Sequence, residues 1–164
     1  MNKIVILCVE DESEVRDALE RDLKSFAEFF RIETAEDVAD AREVLVECEQ
    51  EGDKPGLVLC DHVMPEVTGV EFLIDLNCSP KTSSVRKVLI TGQAMLEDAI
   101  KAVNEANLDY YIAKPWTREA LGQVVRDQLT EFVLCEENID LLPFVKVLDG
   151  PRLLKEISRR NSDR

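Results

Sequence analysis

The sequence is poor in histidine, in positive charge and in paired cysteines. Its one histidine, His62, has no second His or Cys beside it to complete a metal pair, so it reads as a loop side chain. Lys and Arg number 20 against 34 Asp and Glu, a formal net charge of −14. That balance excludes a chain that wraps nucleic acid along its whole length. The five cysteines, at positions 8, 48, 60, 78 and 135, are odd in number and form no Cys-x-x-Cys pair. Cys8 and Cys60 lie inside apolar runs, where a free thiol behaves as a small hydrophobe. A reduced, cytoplasmic protein is the economical reading. No apolar stretch reaches the length of a membrane span. The first run, Ile4 to Val9, is too short for a signal peptide and lacks a cleavage pattern. Low-complexity segments and long repeats are absent.

What is present suits one domain with an appendage. The 164 residues are 45% apolar, enough for a core and too many for a disordered chain. Short apolar runs alternate with helical patterns. Ile4–Val9, Arg31–Thr34, Leu57–Cys60, Val88–Thr91 and Tyr110–Ala113 read as strands, the second of them weakly. Between and after them, helical spacing predicts helices over Ser13–Phe29, around Val38–Cys48, over Gly69–Leu76 and Glu97–Ala106, and from a Thr117 cap to about Phe132. Asn107 is placed to stop its helix in the left-handed conformation. Five strand–helix units in series predict a parallel sheet covered on both faces, with right-handed crossovers.

The segment after about residue 136 breaks this rhythm. Leu141, Leu142, Val145 and Leu148 predict one short amphipathic helix, stopped by Gly150-Pro151. Leu153, Leu154 and Ile157 predict another, with a polar, frayed end from Ser158 to Arg164. The expected division is therefore 1–136 for the main domain and 137–164 for a helical extension. The extension is too short for an independent output domain, and its apolar stripes need burial, either back on the domain or, as the favoured expectation, against a partner or a second copy. It holds no helix-turn-helix with a recognition helix.

In a parallel sheet the strands' C-terminal ends carry the chemistry. Glu10, Asp11 and Glu12 follow the first strand, Asp61 the third, Thr91 and Gly92 the fourth, Lys114 and Pro115 the fifth. Carboxylates gathered there repel: a pair ~4 Å apart costs about 4 kcal/mol at an effective dielectric near 20. A hard divalent cation relieves that repulsion, and Mg²⁺ favours one or two carboxylates with waters and phosphate oxygens. Glu10, Asp11 and Asp61 suit such an ion. An aspartate held beside it can attack a phosphoryl group and form an acyl phosphate. Lys114 would then balance charge on the phosphoryl oxygens and Thr91 would donate a hydrogen bond to one of them.

Four strings in register resemble the receiver domain of two-component response regulators. They are Val9-Glu10-Asp11-Glu12; Leu57 to Pro65 with Asp61, followed by Gly69; Leu89-Ile90-Thr91-Gly92; and Tyr111-Ile112-Ala113-Lys114-Pro115. The resemblance runs from about residue 3 to 135. It implies a flavodoxin-like α/β fold, a five-stranded parallel sheet flanked by five helices. It implies a phosphoacceptor at Asp61, fed by a sensor histidine kinase or a phosphotransfer protein. It assigns Mg²⁺ to Glu10, Asp11, Asp61 and the backbone carbonyl of Val63, the phosphate contact to Lys114, and a switch pair to Thr91 and Tyr111. It also implies a cis peptide before Pro115, which a Lys-Pro sequence permits. The output would be a downstream protein partner or a fused output domain, reached through the face of the fourth helix, fifth strand and fifth helix. Homodimerisation is compatible with this scheme; direct contact of this chain with nucleic acid or membrane is not expected.

Some positions depart from the family's common pattern. Glu10 stands where Asp is frequent, Gly92 where Ala is, Trp116 where Phe is and Asn107 where Gly is. Val63 and Gln93 occupy the variable positions that flank the path of an attacking water. No reacting group is lost, so the expectation is a phosphoacceptor switch with self-phosphorylation and self-dephosphorylation only. A phosphatase using an aspartyl phosphate is the enzymatic alternative; it would want an acid two residues after Asp61, where Val63 stands. A module whose acids bind no metal is the other.

Overall fold

The structure is a computed structural model and describes residues 2–92 and 96–164. Gln93, expected to flank the path of water, lies outside the described residues. The elements run β1 (Ile4–Val9), α1 (Ser13–Asp22), β2 (Arg31–Ala35), α2 (Val38–Gln50), β3 (Lys54–Cys60), α3 (Gly69–Cys78), β4 (Arg86–Thr91), α4 (Leu96–Glu105), β5 (Tyr110–Ala113), α5 (Arg118–Cys135) and α6 (Gly150–Ser162). The five strands are all parallel, in the order β2-β1-β3-β4-β5. The order reverses at β1, which connects first to β2 on one side and later pairs β3 on the other. A crevice therefore opens beyond the ends of β1 and β3.

Strand alternation divides the core into two layers. Ile4, Ile6, Cys8, Leu57, Leu59, Val88 and Ile90 face α1, α5 and the C-terminal segment. Val5, Leu7, Val9, Val58, Cys60 and Leu89 face the helices α2, α3 and α4. Both faces of β1 are covered, which is why its six residues are apolar without alternation.

Local signals act as their chemistry dictates. Thr68 and Glu71 form a reciprocal capping box at the start of α3, Asp37 caps α2 and Thr117 caps α5. Asn107 adopts φ 58°, the left-handed stop its position predicts, and the Lys114–Pro115 peptide is cis. The first helix is shorter than its spacing predicts. It ends at Asp22, and a tight turn over Lys24–Phe26 carries the apolar pattern on, burying both Phe26 and Phe30.

The C-terminal segment differs more. Leu142–Phe144 forms a single tight turn, and Gly150-Pro151 starts a helix where the sequence suggests a stop. Asp149 caps α6, and Pro151 sits in its first turn, where a missing N–H costs no hydrogen bond. The end predicted to fray is helical to Ser162, with Arg159 paired to Glu156 and Asp163. The apolar stripes are not left for a partner or a second copy, as favoured from the sequence, but pack back onto the sheet's α1/α5 side: Leu141, Leu148 and Leu153 join Phe30, Leu129, Phe132 and Val133 in one core cluster. Phe144 stacks on Phe30 with ring centroids 5.4 Å apart. Arg160 donates to the carbonyls of Ile139 and Glu136, at 3.0 and 3.4 Å, and so satisfies acceptors just past the end of α5.

One glycine decides the geometry of the crevice. Gly69 opens α3 directly under the loop that follows β3, and its N–H donates to the His62 carbonyl at 3.0 Å. A Cβ there would lie 1.9 Å from the Asp61 carbonyl oxygen, a distance only backbone movement can relieve. Gly69→Ala is therefore expected to cost about 2–4 kcal/mol, the scale of overpacking that shifts backbone. A urea melt checks it, and a midpoint equal to the parent's refutes the packing argument.

Candidate functional site

Glu10 and Asp11 stand just beyond β1, Asp61 just beyond β3, Thr91 ends β4, and Lys114 follows β5. Backbone pairing fixes the two acid loops at one level: Asp61 N–H donates to the Val9 carbonyl and Glu10 N–H to that of Ala35, each at 3.0 Å. The strand ends thus bring together the acid, hydroxyl and ammonium groups that the sequence only places far apart.

The carboxylates of Glu10, Asp11 and Asp61 each offer an oxygen, and these oxygens lie within 4.8 Å of one another. Glu10 is 1% exposed and Asp61 5%, while Asp11 faces solvent. Two buried acids this close need a counter-charge. Lys114 supplies one, with Nζ 2.8 Å from Glu10 Oε2 and 3.4 Å from Asp61 Oδ1. The extra methylene of Glu10, against an Asp, carries its carboxylate to the ammonium.

Backbone donors hold the acids further. His62 N–H donates to Asp61 Oδ1 at 2.9 Å, and Glu12 N–H to Glu10 Oε1 at 3.2 Å. Arg16 anchors the loop by donating to the Glu10 carbonyl at 2.9 Å. Burial pushes the Glu10 carboxyl up, against the pull of the Lys114 hydrogen bond. Burial alone would lower the Lys114 ammonium; the hydrogen bond it donates to Glu10 and the charge of Asp61 outweigh it, and the net direction is up. Lys114 therefore stays a cation between two acids.

The remaining residues singled out in the sequence lie around this cluster. Thr91 is buried at the end of β4, and the Tyr111 hydroxyl donates to its carbonyl at 3.2 Å. Tyr111 is 37% exposed, so one ring touches both the site and the surface. Val63, two residues past Asp61, turns its side chain to solvent. At Gly92 a Cβ would meet, among the described residues, only Lys114 Cβ, at 3.6 Å, an ordinary contact that leaves room for the usual alanine. Trp116 packs locally, and its Nε1 donates to Asp22 at 3.0 Å.

His62 lies in the loop after β3, as its sequence suggests, but its ring is tied to another element. Its imidazole is 12% exposed, and Nε2 lies 3.2 Å from Asp98 Oδ2 in the first turn of α4. The partners are 36 residues apart, and no local pattern in the sequence announces such a pair. Among the described residues no other group of three His, Cys, Asp or Glu side chains could hold a metal. No helix among them is long and apolar enough to cross a membrane.

Comparison with known proteins places this arrangement. The hydrogenase transcriptional regulatory protein HoxA of Cupriavidus necator is 36% identical over 121 residues, covering 74% of this chain and 23% of HoxA. The response regulator Rre1 of Synechocystis is 29% identical over 126 residues, covering 77% of this chain and 52% of Rre1. The chain thus spans between about a quarter and about half the length of these relatives. Among solved structures, a signal receiver domain of an HD domain-containing protein from Pseudomonas fluorescens superposes with a TM-score of 0.73 at 22% identity, covering 85% of this chain and 96% of that one. An uncharacterized protein from Neptuniibacter caesariensis superposes at 0.70 with 31% identity, covering 85% and 97%. The family model for the response regulator receiver domain matches residues 6–126, a stretch holding β2 to β5, all of β1 but its first two residues, and every side chain of the acid cluster. On that match the chain belongs to the response regulator receiver domain family.

Proposed function

We propose that Asp61 is the phosphoacceptor of a two-component phosphorelay. The observation that carries this reading is the Lys114 ammonium held between Glu10 and Asp61, beside three acid oxygens within 4.8 Å of one another. In the proposed step an Asp61 carboxylate oxygen forms a bond to phosphorus. The bond from phosphorus to the donor breaks, and its electron pair leaves with the donor, a phosphohistidine nitrogen of a sensor histidine kinase or of a phosphotransfer protein. Lys114 exchanges its carboxylate contacts for a phosphoryl oxygen, and the Thr91 hydroxyl donates to another.

The donor set fits Mg²⁺: Glu10, Asp11 and Asp61 offer hard oxygens, and the Val63 carbonyl would complete the protein's share. When bound, the ion supplies positive charge that offsets the carboxylates and the phosphoryl oxygens. Accordingly, incubation of the wild-type chain with acetyl phosphate and Mg²⁺ is expected to yield a hydroxylamine-labile label on Asp61. With EDTA the label is expected to fall to background. Equal labelling in EDTA would refute the metal assignment. No labelling with either would refute the acceptor.

The proposed output is a change in a protein-binding face. Thr91 moves toward the phosphoryl group, Tyr111 follows, and the face made by α4, β5 and α5 is reshaped. Ile100, Val103, Tyr110 and Tyr111 are exposed on α4 and β5 and would form its apolar part. Turnover would be limited to self-phosphorylation and self-dephosphorylation. Because the relatives are longer and include transcriptional regulatory proteins, we place this receiver, residues 1–136 with the extension 137–164, upstream of a fused or separate output. The chain itself would not bind DNA, given its charge of −14, and would work in the cytoplasm, with homodimerisation as one route to output.

A further inference from the structure

His62 touches both the candidate acceptor and a helix on the far side of the crevice. Its N–H donates to Asp61 Oδ1 at 2.9 Å, its carbonyl accepts from Gly69 at 3.0 Å, and its Nε2 lies 3.2 Å from Asp98 Oδ2. The ring cannot drift without cost. Among the described residues Nδ1 is buried with no hydrogen-bond partner, and the Asp98 contact is the imidazole's one polar tie.

Among the described side chains, α4 buries Ala102, with Ala106 just past its last turn, whereas α5 buries Leu121, Val125, Leu129, Phe132 and Val133. The far end of α4 is fixed by Asn77 Nδ2, which donates to the Glu105 carbonyl at 3.3 Å. Where the described buried side chains are this small, a polar tie adds to what sets the helix's place.

We propose that His62 is a positioning residue that couples the state of the Asp61 carboxylate to the first turn of α4 through Asp98. This rests on Asp61 being the acceptor. A carboxylate takes a charge-assisted hydrogen bond from the His62 N–H; an acyl phosphate removes that charge from the carboxyl oxygens, and the bond weakens. The His62 backbone then relaxes, and the imidazole carries the shift to Asp98. This route is separate from Thr91 and Tyr111, because it reaches α4 from the loop after β3 and not from the ends of β4 and β5.

The test is amide hydrogen exchange over 97–105 in the full chain, with and without Mg²⁺ and beryllium trifluoride, a phosphoryl mimic. Asp98→Ala removes the acceptor for Nε2, and Asp98→Asn keeps one. In the wild type the mimic is expected to change α4 exchange severalfold. In Asp98→Ala that change should shrink to less than about a third, while exchange at Tyr111 still responds and acetyl phosphate labelling stays within about twofold. Asp98→Asn should restore most of the α4 response. An undiminished α4 response in Asp98→Ala overturns the proposal, as does a parallel loss at Tyr111, which would mean general damage. Failure of the wild type to label would overturn the acceptor reading itself, and the coupling with it; normal labelling with an unaltered α4 response overturns the coupling alone.

Discussion

Asp61→Asn is expected to lose acetyl-phosphate labelling by about a thousandfold or more, the scale of deleting a nucleophile. The carboxamide has nearly the same shape, so the fold should persist. Asn still accepts from the His62 N–H through its carbonyl oxygen, a bond that is 2.9 Å in the parent. What it lacks is an anionic oxygen to attack phosphorus. The site's charge also changes. Lys114 sits 2.8 Å from Glu10 and 3.4 Å from Asp61, so with Asp61 neutral the ammonium pairs with Glu10 alone. The charge of Asp61 helps push the Glu10 carboxyl up, and removing it relieves that repulsion. Stability should therefore be equal to or above the parent's. Labelling is measured with radioactive acetyl phosphate and stability by urea melt, on the same preparation. Persistent label in a stable Asp61→Asn protein would move the acceptor elsewhere. Loss of label together with loss of fold would reveal nothing about the nucleophile, and the melt guards against that error.

Ending the chain after residue 136 is expected to destabilise the domain by about 2–5 kcal/mol. That is the scale of removing two or three well-packed core side chains, less the ordering entropy of the segment that carries them. Leu141, Leu148 and Leu153 are buried in the same cluster as Phe30, Leu129, Phe132 and Val133. Truncation uncovers that face and leaves Phe30 without the Phe144 ring stacked on it. It also deletes Arg160, whose guanidinium reaches the carbonyls beyond α5, and Asp149, whose N–H donates to the buried Thr130 hydroxyl at 3.2 Å. The melting temperature should fall by roughly 10 °C, since 1 kcal/mol corresponds to about 2–4 °C in a domain of this size. Exposed Phe and Leu surface should also bind a hydrophobic dye or drive self-association. A truncated chain as stable and as monomeric as the parent would show that 137–164 is a detachable appendage.

The residue strings with which the sequence announces the site are short and lie at strand ends, and that is why they were readable. Buried parallel strands must be apolar on both faces, so Ile4–Val9 and Leu57–Cys60 mark themselves, and the first polar residue after each is by position a rim residue. Glu10, Asp61, Thr91 and Lys114 are all such residues. Two helix ends were readable for a similar reason, because Thr117 and Asn107 act on neighbours within a few residues. The end of α1 was harder to read. Leu23, Phe26 and Phe30 keep an apolar rhythm whether the backbone is a helix or a tight turn, and spacing alone does not distinguish the two. Gly150-Pro151 misleads because the same dipeptide ends one helix or begins the next, depending on what precedes it. Here Asp149 caps it, and a Cβ at Gly150 would come within 2.7 Å of the Val145 carbonyl oxygen.

The sequence alone was enough for the fold class and for the polar groups that stand at the strand ends, since both follow from local chemistry repeated along the chain. Tertiary structure decided which of these groups touch. Lys114 bridges Glu10 and Asp61 across three strands, His62 reaches Asp98 across the crevice, and the leucines of the C-terminal segment turn inward onto Phe30. A pairing over 36 or 104 residues leaves no periodic trace in a single chain. It is set by where the strand order reverses and by how two faces of apolar surface close, and both are properties of the assembled sheet.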